Sequence, residues 1–391
     1  MIDPHWVARL RHFRPAWWLP GGHAQTLSAA FWKGPQTPEQ GIARRIVLPD
    51  GDALVALDNR PPPWQAGDPT ILMMHGLSGC ARNPFLVRVT AKLVQRGVRV
   101  FRLNLRSCGA GAGLARLPYH AGRSGDLKAA VQAVIEWCRE PRGIGFQPVN
   151  TANRLTIDDS RDERNTGPLP HSHAHPVLHT DGEGEGAGDR QAGSLFHAPS
   201  PLTLFGMSLS GNLLLKYLGE EGPHVPSSVQ RAIAINPPID LARSIKTLER
   251  PLNLAYDQHF VKALIGHVRQ QSTLRPDFAA LPDPLPRTLY DFDDRFTAPH
   301  GGYPDAAAYY QHASSLSQIP RIQVPTLILT AEDDPLVPVE MFHEQQMNWP
   351  DSISPVITRG GGHLGYVGRS PGDLDARWLD WRVVEFVTGR P

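Results

Sequence analysis

From Thr70 onward, short apolar runs alternate with amphipathic stretches: "TILMMHG", "PFLVRVTAKLVQRG", "VRVFRLNL" and "SGDLKAAVQAVIEWC" follow one another with only brief turns between them. A short apolar run without polar alternation reads as a strand buried on both faces, and a stretch with a period near 3.6 reads as a helix covering it. The order strand, helix, strand, helix predicts an α/β fold, a mostly parallel sheet flanked by helices. The pattern resumes with "LTLFGMS" and "GNLLLKYLG" and continues through "VQRAIAINPP", "PTLILTAEDD" and "SPVITRGGGH", giving six candidate parallel strands.

Two stretches depart from the pattern within what reads as a single domain spanning 1–391. Residues 141–200 are dominated by Gly, Pro, Ser, Asp, Asn and His, and "DGEGEGAGDRQAGS" buries too little apolar surface to offset its ordering entropy, which predicts a disordered, low-complexity insertion. It contains His171, His173, His175 and His179 without Cys or carboxylate partners at fixed spacing, so no metal site is expected there. Residues 241–320 carry helical patterns such as "HFVKALIGHV" and "DAAAYYQHASSL" between polar turns, and predict a helical lid or cap over the carboxyl ends of the strands.

Composition removes several function classes. With 39 basic and 38 acidic residues the formal charge is +1, which leaves no electrostatic footprint for nucleic acid or an anionic membrane. Cys80, Cys108 and Cys138 are odd in number and lack metal-ligand spacing, so free thiols in a reducing, cytoplasmic setting are expected. No stretch approaches the roughly 20 apolar residues of a membrane span. Trp17 and Trp18 are candidates for peripheral lipid contact, but beside prolines the pair is expected to pack as an N-terminal arm.

Four G-x-S triplets occur, at Ser78, Ser124, Ser208 and Ser370. Only Ser208 follows a buried-type strand, "LTLF", and precedes an apolar helix, "NLLLKYL", the context that lifts a hydroxyl onto a sharp turn above a sheet. A serine hydroxyl needs an imidazole to take its proton and a carboxylate to fix the imidazole's tautomer. Downstream, "PTLILTAEDDPLVP" ends in Asp334, with Asp333 as close competitor, and "SPVITRGGGHLGY" leads through three glycines to His363. Donors for a tetrahedral oxyanion are the N–H of Leu209, directly after the nucleophile, and that of Leu77 in "MMHGLSG". Cys80 has no base placed for it and reads as a small buried side chain.

These residues resemble the YheT-like branch of the α/β-hydrolases, a branch that also contains ABHD-type lipases and yeast medium-chain ester synthases and esterases. Besides "GMSLSGN", the likeness includes "FRPAWWLPGGHAQTL", "FRLNLRSCGAG" with "LPYHAGRSGDL", "YDFDDRFTAPHGGYPDAAAYY", "AEDDPLVP" and "GGGHLGY", in the family's order. Ser210 and Ser107 stand where the family usually has glycine. The resemblance implies an α/β-hydrolase fold and a serine carboxylic-ester hydrolase with the triad Ser208, Asp334 and His363. It also implies no metal or organic cofactor and, as substrate, a small-molecule ester of a short- to medium-chain acid. The alternatives are an acyltransferase that uses an alcohol in place of water, or a catalytically silent module that binds acyl ligands.

Overall fold

The computed structural model describes residues 2–32, 41–140, 200–344 and 349–389. The low-complexity segment expected at 141–200, with its four histidines, lies outside the described residues except for Ser200.

Among the described residues, eight strands form one sheet in the order β1-β2-β4-β3-β5-β6-β7-β8. The six expected strands are β3 (Thr70–Met74), β4 (Arg99–Asn104), β5 (Leu202–Met207), β6 (Val229–Ile235), β7 (Thr326–Ala331) and β8 (Ile353–Thr358), and they run parallel. Two further strands, β1 (Ile42–Val47) and β2 (Ala53–Asn59), extend the β4 edge in antiparallel register. They precede the first βα repeat, so the alternation that reveals the others does not reach them. A buried bidentate pair, Arg99 to Asp58 at 2.6 and 3.0 Å, ties β2 to β4.

Alternate side chains on each strand serve opposite faces. Leu72 and Met74 of β3 join Leu202 and Leu204 of β5 in one core with α4 (Ser124–Arg139) and α5 (Leu209–Glu221). Ile71, Met73, Phe205 and Met207 join the other, with α1 (Pro4–Leu10), α3 (Pro84–Val94) and the C-terminal helix Trp378–Thr388. Local signals start the helices: Asn83 caps α3 by accepting from the Phe85 N–H at 2.9 Å, with Pro84 at the first helical position, where a missing N–H costs nothing. Strand order reverses at β3, since β4 lies on one side and β5 on the other; this places the loops after β3 and β5 side by side at the crevice where open α/β sheets keep their sites.

Between β6 and β7 the 241–320 stretch holds α6 (Leu241–Leu248), α7 (Leu254–Leu274) and a short helix Ala306–Ala313. The expectation for the tryptophan pair fails: Trp17 is 90% exposed and Trp18 49%. The N-terminal segment anchors instead through buried Trp6, Leu10 and Phe13, while α2 (Gly21–Phe31) turns its polar Gln25 and Thr26 inward. Cys108 and Cys138 are buried free thiols, and Cys80 is half-buried rather than buried. No helix among the described residues is long and apolar enough to cross a membrane.

Candidate active site

Ser208 is the single residue between β5 and α5, at φ 52° and ψ −125°. Such a conformation costs a non-glycine residue about 1–3 kcal/mol and persists only when its surroundings dictate it. Here they do: the Ser208 N–H donates to the Ile235 carbonyl at 2.8 Å, and the Ser208 carbonyl accepts from Gly211 and Asn212. Strand and helix approach so closely that a Cβ at Gly206 would lie 2.3 Å from the Ser210 carbonyl oxygen, so glycine is required there. The Ser210 side chain takes no part in that contact, which backbone atoms make. Its buried hydroxyl donates to the His75 carbonyl, which explains why a side chain fits where the family has glycine.

His363 stands on the loop after β8. Its Nε2 lies 2.8 Å from Ser208 Oγ, and its Nδ1 lies 2.8 Å from Asp334 Oδ2. Asp334, on the loop after β7, also accepts from the Leu336 and Val337 amides at Oδ1, and from Asn236 Nδ2 at 2.7 Å. The competitor Asp333 points elsewhere, accepting the Gly362 N–H at 2.8 Å and so bracing the glycine approach to His363. That approach is crowded by α2: a Cβ at Gly362 would lie 2.3 Å from the Gly22 carbonyl oxygen. Thr26 Oγ1 accepts the His363 backbone N–H at 2.8 Å, and Gln25 bonds both the N–H and the carbonyl of Val367.

The loop after β3 lies against Ser208, with a Cβ at Gly76 falling 3.2 Å from Ser208 Cβ. The Gly76 carbonyl takes hydrogen bonds from His75 Nδ1 at 2.8 Å and from the Gly79 N–H at 3.2 Å. Because a carbonyl only accepts, His75 carries its proton on Nδ1; its Nε2 accepts from the Leu105 N–H at 3.2 Å. Burial pushes the imidazole down to about 4, so it stays neutral. Two donors on the Gly76 oxygen fix the peptide plane that also carries the Leu77 N–H, which then points the opposite way. The Leu209 N–H opens α5 and has no acceptor one turn back. Leu77 and Leu209 line the same cavity as Ser208 and His363.

Two hollows meet at Ser208. One, of about 110 Å³, runs beneath α6, α7 and the 289–310 segment. The other, of about 630 Å³, lies on the α2 side, bordered by Leu27, Phe31, Tyr256 and Arg377. Among the described residues, no group of three or more His, Cys, Asp or Glu side chains is placed to hold a metal ion.

The sequence reading missed the supports. Asn236, at φ 45°, bridges Asp334 to the Gly362 carbonyl, and its only sequence signal was a polar residue ending "AIAIN" before two prolines. Arg106 and Asp126, in separate family motifs, form a buried bidentate pair at 2.6 and 2.7 Å, beside Ser107 at φ 62°.

The chain is 24% identical to the Escherichia coli (strain K12) protein YheT, named as an esterase, over 88% of this chain and 84% of that protein. It is 32% identical to the monoacylglycerol lipase of Saccharomyces cerevisiae over 47% of this chain, spanning 41% of the lipase. Among solved structures, Est1E from Butyrivibrio proteoclasticus aligns with a TM-score of 0.47 and 15% identity over 90% of this chain and 98% of its own. The family described as "Alpha/beta hydrolase family" matches residues 71–375, most of the chain, and the protein belongs to that family.

Proposed function

We propose that this α/β-hydrolase of esterase or lipase type cleaves short- to medium-chain carboxylic esters through an acyl-enzyme on Ser208. One observation carries the reading: the unbroken hydrogen-bond chain Ser208 Oγ to His363 Nε2 and His363 Nδ1 to Asp334 Oδ2, each link 2.8 Å. Ser208 Oγ bonds to the ester carbonyl carbon as its proton passes to His363 Nε2. The Leu77 and Leu209 N–H groups receive the resulting oxyanion, an interaction whose loss typically costs about 10²- to 10³-fold in rate. The imidazolium gives its proton to the departing alkoxide oxygen, and the carbonyl re-forms as an acyl-serine. His363 then takes a proton from water, the hydroxyl attacks the acyl carbon, and Ser208 leaves with the proton. Asp334 keeps the Nδ1 proton in place throughout.

In this reading the narrow hollow receives the acyl chain and the wider cleft the alcohol portion. The 241–320 helices act as a lid that excludes water from the first. A space of about 110 Å³ is smaller than the ~150 Å³ that accommodates benzene, which favours a short acyl chain. A fluorophosphonate probe is expected to label Ser208, and Ser208→Ala to lower p-nitrophenyl butanoate hydrolysis by at least about 10⁴-fold. Turnover retained in that variant would overturn the assignment.

A further inference from the structure

The narrow hollow beside Ser208 is walled mainly by hydrocarbon, including Leu241, Ile245, Leu264, Phe292 and Phe296. One part of its wall is different in kind: Tyr119, His120, His267, Asp293, Tyr309 and Tyr310 face the same space. A plain alkyl chain would press against these groups without bonding them, and each buried polar group left unpaired costs about 1–3 kcal/mol.

Some of their hydrogen-bonding capacity is already used. Tyr310 donates its hydroxyl proton to Asp293 Oδ2 at 2.9 Å. The Tyr119 and Tyr309 hydroxyls accept the Ser78 and Ala121 amides at 2.8 and 3.1 Å, which leaves each with a lone pair and a proton to offer. His120 Nδ1 accepts from the Gly122 amide at 3.1 Å. His267 Nε2 is buried and has no hydrogen-bond partner among the described residues. The ring itself is held in place, edge-on to Tyr119 with centroids 5.8 Å apart. Its burial keeps it neutral, with a pKa pushed down to about 4, while burial raises the Asp293 carboxyl to about 7 against the hydrogen bonds from Thr297 and Tyr310.

A carboxylate would set a second anion beside Asp293, and an ammonium would find the neighbouring imidazoles neutral and, in the wall itself, one acid that is partly protonated. A hydroxyl suits the wall in every state, because it donates to an imidazole nitrogen or accepts from it, and does the same for a carboxyl. In a space of about 110 Å³ a bound chain has little room to avoid this wall.

We propose that the favoured substrates are esters of short hydroxylated acids, whose chain hydroxyl is bound by His267 and Asp293 in the hollow beneath the lid. This rests on the serine-esterase reading above and adds a substrate class to it. The test compares kcat/KM for p-nitrophenyl butanoate with its 3-hydroxy analogue, and for p-nitrophenyl hexanoate with its 6-hydroxy analogue. The wild-type protein is expected to favour the hydroxylated ester at least tenfold in one of the two pairs, since a site built to bond a hydroxyl discriminates strongly against the analogue lacking it. His267→Leu is expected to reduce that ratio at least tenfold, and Asp293→Asn to reduce it as well; either variant that keeps the wild-type circular dichroism spectrum is sufficient. Preference for the unsubstituted ester in both pairs, with Ser208 still labelled by fluorophosphonate, would overturn the hydroxyl site and leave the esterase reading intact. Absence of labelling and of all turnover would overturn both.

Discussion

Ser208 and His363 sit 2.8 Å apart but are held by opposite means. The serine is fixed by its own neighbourhood: the carbonyl of Ile235 one strand away, and the first turn of α5 closing on its own carbonyl. The imidazole is fixed from the far end of the chain, with Thr26 holding its backbone N–H across 337 residues and Gln25 holding Val367 across 342. A strained turn can be specified by a short stretch because strand, glycine and helix together leave it no other conformation. A glycine-rich loop has no such internal constraint, and something outside must dictate its path.

The contrast is open to attack, beginning where the expected effect is largest. Asp334→Asn should lower kcat by roughly 10⁴-fold with the fold intact, by the tautomer logic of such triads, whereas Asp333→Asn should change kcat by far less. Equal losses measured on one chromogenic ester would mean that the His363 contact is not what distinguishes these neighbours. Next comes Gly22→Ala, whose Cβ would fall 1.6 Å from the Asp333 carbonyl oxygen. Since the backbone must shift, a loss of about 3 kcal/mol or more in urea denaturation is expected, together with reduced kcat. An unaffected midpoint would show that α2 is no brace.

A smaller effect is expected from Thr26→Val, which removes the acceptor of the His363 N–H and leaves that buried donor unpaired, at about 1–3 kcal/mol. If the loop is positioned from α2, kcat should fall about tenfold or more with KM little changed, and Thr26→Ser should restore it. A purely structural role would leave kcat at the wild-type value. Smallest of all, Ser210→Gly removes one hydroxyl bond to His75 and adds a helical glycine, for about 1–2 kcal/mol together. Rate is expected to change less than threefold, because the Gly76 carbonyl keeps both of its donors.

The six parallel strands were legible because each is an apolar run bounded by a helix of different period; β3, β4, β5 and β7 are buried along their whole length, and β6 and the edge strand β8 only in part. The elbow was legible for the same reason: "LTLFGMSLSGNLLL" has the strand, the turn and the helix side by side. The order acid then histidine could be read, with Asp334 preferred and implied by the family resemblance, but the turn's own residues left Asp333 as a close competitor. Adjacent residues on a turn have nearly equal sequence credentials, and only the direction each carboxylate takes separates them. Asn236, Thr26 and Arg106 were invisible for a related reason, since each earns its role from a partner more than 15 positions away. The exposed Trp17 shows the converse, a large apolar residue whose composition suggests burial and whose place in the turn before α2 denies it.

Sequence alone determined the βα alternation, the strained serine turn and which residue types could cooperate, because these depend on periodicity and on backbone sterics within a few residues. Tertiary structure alone decided which acid meets His363, how an N-terminal helix braces a C-terminal loop, and that polar groups gather in the wall of a narrow hollow beside Ser208. Those outcomes depend on directions and distances between segments remote in the chain, and a linear pattern carries no record of them.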